Sequence, residues 1–390
     1  MSRTRAAYDD VVVTCPTTVP YVRYSIRGAH WFLAAALADL LKRAGLAKDK
    51  LDGLCVSSFT LAPDSAVGLT QHLGMTLRWL DHIPLGGACG IVALRRAARA
   101  VQSGDADAVA CIAGDTNHTD SFRLNLATFS QFARDAVYPY GSGGANASFA
   151  FLTAYYMRTY GATREDFGKI CVAQRDNALK FPYALMRKPL TLEEYLNARM
   201  IADPLRLFDC VMPCAGADAF LVLRRGEAEK LGLPYARILA TIERHNAYPD
   251  DPIQYRGGWA LDRDELYAQA GIGPQDIDVL ATYDDYPVIS LMQIEDLGFC
   301  NKGEAADFVR RESFTADGSF PHNTSGGQLS FGQAGAAGGF LGLLEIVRQV
   351  TGQTLGAPVP KARLGLASGF GMINYDRGLC SGAAILAAGH

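Results

Sequence analysis

From His322 to Gly339 the chain is polar and dense in glycine, and it runs straight into an apolar helical stretch, Phe340 to Val350. Glycines at such a junction permit positive φ and let a ligand approach the main chain. A helix start adds unpaired N–H groups and the positive end of the dipole. The junction is therefore a place to hold a carbonyl oxygen or an anion, with Ser325, Gly326 and Gly327 as its substrate-facing residues. Other residue types suited to chemistry lie elsewhere. Cys89 stands at the start of another helix, where the N-terminal field lowers a thiol pKa and makes the thiolate a better nucleophile. Tyr283 can donate its hydroxyl to an oxyanion, and Asp284 and Asp285 can serve as acid/base groups if buried. His322 is a candidate acid/base on the glycine loop, whereas Gln333 can donate a hydrogen bond but cannot shuttle a proton. Each has a plainer reading. Cys89 can be a small residue in a crowded helix contact, Asp284 an acceptor tying loops together, and His322 a ring bonded to the loop backbone.

The elements that must position these groups follow a βαβ grammar. Leu54–Ser58 and Ala108–Ala113 read as buried strands around a helix, Ile91 to Gln102, with Arg95, Arg96 and Arg99 expected on its wet face. Later, Asp278–Thr282, Leu364–Ser368 and Ala383–Leu386 read as strands and Leu341–Gln349 as a helix. This predicts a mainly parallel sheet covered by helices. Gly87-Ala88-Cys89-Gly90 opens the first helix and Ser103-Gly104 closes it; Gly335-Ala336-Ala337-Gly338 opens the second and Thr351-Gly352 closes it. The spacing from Gly90 to Gly104 equals that from Gly338 to Gly352, which indicates an internal duplication. The expected halves are residues 1–240 and 241–390, with a loop domain inserted at about 117–209 to cover a substrate. Its aromatic residues Phe122, Phe129, Phe132, Tyr138 and Tyr140 fit a bulky or aromatic ligand.

Bulk properties narrow the class. The chain has 390 residues, 49% of them hydrophobic and 20% charged, as in an ordinary globular protein of two domains or one duplicated one. A net charge of −3 gives no reason to expect nucleic acid as a partner. No apolar run is long enough to span a membrane. Met1 to Arg5 carries no apolar signal core, and Ala388-Gly389-His390 is not a peroxisomal address. Nine scattered cysteines, mostly in apolar runs, fit a reducing, cytoplasmic compartment. Cys210 and Cys214 lack a second pair, so no metal site is expected.

Several stretches together resemble the sterol-carrier-protein type of thiolase: Gly161-Ala162-Thr163-Arg164-Glu165-Asp166, Arg187-Lys188-Pro189-Leu190-Thr191, Ala198 through Cys210, Gln293-Ile294-Glu295-Asp296-Leu297-Gly298, and the glycine segment from His322. The resemblance implies an α/β, five-layer α-β-α-β-α fold built from two duplicated halves with an inserted loop domain, usually dimeric. It implies chemistry at the C–C bond beside a coenzyme A thioester, with no bound cofactor and coenzyme A as substrate. The family's catalytic positions are altered. The nucleophilic cysteine position falls on Gly87, two residues before Cys89, and the histidine position is Gln333. The Asn-Glu-Ala-Phe or His-Asp-Cys-Phe motif reads Tyr283-Asp284-Asp285-Tyr286. The second cysteine's turn matches Gly369-Phe370-Gly371, where the N–H of Gly371 remains as an oxyanion donor. The extra stretch from Met372 to Leu379 then delivers Cys380, or Tyr375, toward the site or makes a surface excursion. Arg187 and Lys188 would meet the phosphates of coenzyme A.

Two enzymatic readings follow from the resemblance. The first is a thiolase that uses Cys89 to cleave or form a 3-oxoacyl-CoA, one with a bulky or aromatic acyl group, through an acyl-cysteine. The alternative is a retro-aldolase on a 3-hydroxyacyl-CoA, with no covalent intermediate, using Tyr283, Asp284 and His322. A non-catalytic acyl-CoA-binding scaffold is the third reading. The resemblance also implies a homodimer core and a small partner with an OB fold and a zinc ribbon, this chain being the larger subunit. The runs Gly332–Gly339 and Gly369–Tyr375 resemble the two-subunit benzoylsuccinyl-CoA thiolases.

Overall fold

The computed structural model describes residues 6–117, 131–132, 134–141 and 144–389. Its strands owe their form to apolar runs in which alternate residues face opposite layers. In the strand Ala108–Asp115, Ala110 and Ile112 face one hydrophobic cluster while Val109, Cys111 and Ala113 face another. Both faces are covered, so the strand reads as an unbroken apolar run rather than an alternating one.

Nine strands form one mixed sheet in the order β3 (Trp79–His82), β2 (Gly53–Ser57), β4 (Ala108–Asp115), β7 (Ala215–Arg224), β1 (Val11–Val22), β8 (Tyr235–His245), β11 (Arg377–Ala388), β10 (Leu364–Asn374) and β9 (Val279–Ala281). The duplication is visible in the pairing. β2 and β4 run parallel, then β4, β7 and β1 alternate antiparallel. β9 and β10 run parallel, then β10, β11 and β8 alternate antiparallel. The repeats meet where β1 pairs with β8, Val12 to Thr14 against Arg237 to Tyr235. The second repeat thus opens with β8.

Three helical layers interleave with the two halves of the sheet. The helix Ala29–Ala44 packs Phe32, Leu33 and Leu40 on one face of the first repeat. The helices Cys89–Ser103 and Gly338–Thr351 lie between the repeats, where Ile91, Leu94, Phe340 and Leu344 are buried. Each such side chain contributes roughly 1.5–3 kcal/mol by leaving water. The helices Trp259–Ala270 and Pro287–Asp296 cover the outer face of the second repeat. This is the five-layer α-β-α-β-α arrangement.

The two inner helices start and stop by one device. Gly86 (φ +53°) and Gly335 (φ +56°) each turn the chain into a 3-10 turn that becomes the helix, and Gly104 and Gly352 end the helices in the left-handed region. They cross so closely that a Cβ on Gly90 would sit 2.1 Å from the carbonyl oxygen of Gly339. Burial between the repeats corrects the expected wet face of the first inner helix. Arg95 is half-buried and donates to the hydroxyl and carbonyl oxygens of Thr241 on β8.

The inserted segment is largely helical among the described residues. It holds the helices Ala145–Tyr160 and Arg164–Lys180, the second begun by a Thr163/Asp166 capping box, and the small pair β5 (Met200–Ala202) and β6 (Leu205–Arg206). Phe122 and Phe129 lie outside the described residues, and Phe132 and Tyr140 are exposed. No helix among the described residues is long and apolar enough to cross a membrane.

Candidate active site

The carboxyl ends of the parallel pairs β2/β4 and β9/β10, where α/β folds bind ligands, converge in space although the two pairs run in opposite directions along the sheet. There the loops enclose a cavity of about 350 Å³. Tyr283 enters it from the loop between β9 and the helix Pro287–Asp296. Gln293 of that helix fixes the tyrosine's main chain, its Oε1 accepting from Tyr283 N at 3.2 Å and its Nε2 donating to Tyr283 O at 2.7 Å. Gln333 is pinned on both sides, its N–H donating to Met212 O and its carbonyl accepting from Cys214 N. Its side-chain amide then donates to Asp285 Oδ1 at 2.5 Å and to the Tyr283 hydroxyl at 3.2 Å. Tyr283, Asp285 and Gln333 line the cavity as one hydrogen-bonded group, with Gly87 and Gly371 beside them.

The ring of Tyr283 occupies the room that a side chain at position 87 would need. A Cβ on Gly87 would fall 2.0 Å from the ring carbon Cε2 and 2.3 Å from the carbonyl oxygen of Phe370. Real Cβ atoms essentially never approach so closely. The helix start that would carry a cysteine is bare, and a phenol from the other repeat stands in its place.

The electrostatics separate the members of the group. Burial pushes Asp285 up to about 7, opposed by its hydrogen bond with Tyr283. Burial, with the charge of Asp285 and that hydrogen bond, holds the phenol well above its ordinary value, so Tyr283 is a neutral donor at ordinary pH. A carboxyl that titrates near neutrality is suited to general base work.

The other candidates lie outside the cavity. Cys89 is fully buried between the inner helices, its thiol donating to Ala336 O at 3.1 Å, and burial raises its pKa. The helix-end field that should lower it is outweighed by the apolar surroundings. His322 is fully buried, bonds Thr282 Oγ1 through Nε2 at 2.8 Å, and is pushed down to about 3 by burial, so it stays neutral. Asp284 accepts from Gln328 N (2.9 Å) and Leu329 N (3.3 Å) and so caps the short helix Gly327–Phe331; burial pushes it up to about 8. Ser325, Gly326 and Gly327 are buried in that same turn, where a Cβ on Gly327 would meet Asp284 at 2.1 Å. Gly369 lies behind the site, its would-be Cβ 2.8 Å from Gly87 O. Cys380 pairs opposite Gly371 on β11, packs in the middle layer, and is pushed up to about 12 by burial. Tyr375 is an exposed turn residue, so the extra stretch is the end of the β10–β11 hairpin. Arg187 donates to Phe181 O at the end of the helix Arg164–Lys180. Lys188 is exposed, and its carbonyl accepts from Arg175.

Sequence reasoning missed Asp115, Thr116 and Asn117, which follow β4 into the cavity. Asp115 Oδ1 accepts from Ser58 Oγ, Phe59 N, Thr60 N and Thr60 Oγ1, and its Oδ2 from Ala336 N, so one carboxylate ties loops from both repeats together. The available signal was an acid at the carboxyl end of a buried parallel strand. The apolar wall also comes from unexpected places: Phe59, Phe149, Tyr286, Met372 and Ile373. Tyr286 stacks on Phe149 at 4.6 Å and donates to Asn146 Oδ1 at 2.6 Å. Cys210 also reaches the wall, with its thiol pushed up to about 12 by burial.

This fold and site define a class: the chain belongs to the thiolase superfamily. The profile of the thiolase C-terminal domain-like family matches residues 262–380. The chain is 34% identical over 357 residues to the steroid side-chain-cleaving aldolase of Thermomonospora curvata, covering 87% of this chain and 88% of that protein. It is 32% identical over 314 residues to the benzoylsuccinyl-CoA thiolase subunit BbsB of Thauera aromatica, covering 77% of this chain and 79% of that protein. Among solved structures it resembles the Ltp2-ChsH2(DUF35) aldolase, with a TM-score of 0.82 and 26% identity over 98% of this chain and 99% of that one.

Proposed function

We propose that the protein is a carbon–carbon lyase that cleaves a bulky 3-hydroxyacyl-CoA by a retro-aldol reaction. The observation that carries this reading is the Tyr283 ring in the space of the missing side chain at Gly87. Asp285 takes the proton of the substrate's 3-hydroxyl through the Tyr283 phenol. The oxygen's electron pair forms the new C=O bond as the Cα–Cβ bond breaks. The released pair enters the thioester as an enolate, whose oxygen faces the main chain of Gly87 and Gly371 at the start of the first inner helix. The enolate carbon regains the proton, giving an acyl-CoA and an aldehyde or ketone. Coenzyme A is carried by the substrate, and no other cofactor enters the scheme. The likeness to an aldolase named together with a DUF35 protein supports a small partner protein; the OB fold and zinc ribbon of that partner, and a homodimeric core, are carried from the family resemblance.

The thiolase reading is supported by the likeness to the benzoylsuccinyl-CoA thiolase subunit and would need Cys89 as the nucleophile. Mass spectrometry of the intact protein, with any co-purified partner, after brief exposure to 3-oxoacyl-CoAs decides between the two. The expected result is no acyl adduct, and a Cys89→Ala variant that cleaves 3-hydroxyacyl-CoA within about threefold of wild type, as for a packing cysteine. An adduct at Cys89 that vanishes in the variant would establish thiolase chemistry instead.

The role of Asp285 gives a pH signature. The ionised carboxylate is the active form, so kcat/KM is expected to rise with pH and level off above about 7. In Asp285→Asn the rate should be low and this limb gone. A limb that persists unchanged in the variant assigns the titration to another group.

A further inference from the structure

Two residues that line the cavity each carry a buried polar atom with no partner and no part in the scheme above. Asn117 is 7% exposed, and its Oδ1 is buried without a hydrogen bond. The Oγ1 of Thr116, its neighbour, is buried and unpartnered as well. Both residues line the cavity. Their position is held: Thr116 N donates to Thr60 Oγ1 at 3.2 Å, and Asp115 binds the Ser58–Thr60 loop to the end of β4. An unmet buried acceptor costs about 1–3 kcal/mol. A built site that leaves one unmet is complementary to a ligand that supplies the missing donor.

We propose that Thr116 and Asn117 form a subsite for a second hydroxyl, an alcohol or a phenol carried on the acyl group away from the bond that breaks. The identity of this ligand as a 3-hydroxyacyl-CoA rests on the lyase reading; the subsite itself does not. A hydroxyl donates to Asn117 Oδ1 and accepts from the Thr116 hydroxyl. A ketone offers no donor and leaves Asn117 unmet. The reacting hydroxyl has its own partners in Tyr283 and Asp285. The neighbouring Phe59, Met372 and Ile373 supply the apolar wall that a ring or branched chain would fill.

Calorimetric titration of the full chain with phenol and with toluene, which have nearly the same shape, tests the subsite without catalysis. The ratio of toluene Kd to phenol Kd is expected to fall by about tenfold from wild type to Thr116→Val/Asn117→Leu, as for loss of a buried hydrogen bond. Unchanged toluene affinity shows that the variant cavity is intact. Thr116→Val alone, with a smaller fall, serves if the double variant does not fold. A ratio that stays within about twofold of wild type overturns the proposal and leaves water as the partner of these oxygens. A lost preference in a protein that cleaves no 3-hydroxyacyl-CoA keeps the subsite and removes the lyase reading.

Discussion

Tyr283→Phe is expected to lower kcat for 3-hydroxyacyl-CoA cleavage by about 10²–10⁴-fold, the usual worth of a positioned proton-transfer group. KM should change little, because the ring is retained. The ring fills the space beside Gly87, and phenylalanine fills it equally, so the fold loses no packing. What disappears is the hydroxyl that accepts from Gln333 and hydrogen-bonds Asp285. The carboxylate then keeps Gln333 but has no path to the substrate oxygen. A melting temperature within about 4 °C of wild type would show that the loss is chemical. Wild-type kcat in Tyr283→Phe would sink the proposed role and return attention to Asp285 acting alone.

Gly87→Ala should remove activity by a different route. One added methyl would lie 2.0 Å from the Tyr283 ring and 2.3 Å from a main-chain oxygen of β10. The ring can swing, but the Phe370 carbonyl belongs to the backbone of β10, held at this point by its pairing with Ser381 of β11. Overpacking of this kind typically costs about 1–3 kcal/mol, and the displaced ring takes with it the hydroxyl proposed to relay the proton. The expected outcome is a lowered melting temperature together with loss of cleavage. Gly226→Ala is the control: nothing lies within 4 Å of its Cβ position in the helix Arg225–Lys230. There alanine should be neutral or slightly stabilising. A Gly87→Ala enzyme with full activity would mean that the close contact does not shape the site.

The duplication was legible because it depends on local patterns, whereas the five layers came from the family resemblance, and the mainly parallel sheet that the βαβ grammar suggested is instead mixed, with antiparallel pairing at its centre. Apolar runs covered on both faces, and glycines that open and close two helices at matched spacing, survive in the chain as periodicity. The site was legible in part. Tyr283, Gln333, Gly87 and Gly371 were named and share a cavity, whereas Cys89, His322 and Asp284 were named for chemistry and are buried apart from it. The reason is directional. A helix start favours a thiolate only where the thiol meets its N–H groups or water, and Cys89 points instead into the crossing of two helices. Asp284 and Asp285 are adjacent, yet one caps the turn beneath and the other faces the cavity. No spacing rule separates two neighbouring acids on a loop. Asp115 escaped notice because its partners come from distant loops of both repeats.

The fit between Gly87 and Tyr283 also bears on how such an enzyme could change its chemistry. A cysteine restored at 87 alone would collide with the ring, and removal of the ring alone would leave an empty slot and no phenol. Either single step passes through a worse protein, and only the paired exchange keeps the site filled. Positions 87 and 283 are thus coupled across the junction of the repeats, so that a larger side chain at one is tolerated only with a smaller one at the other.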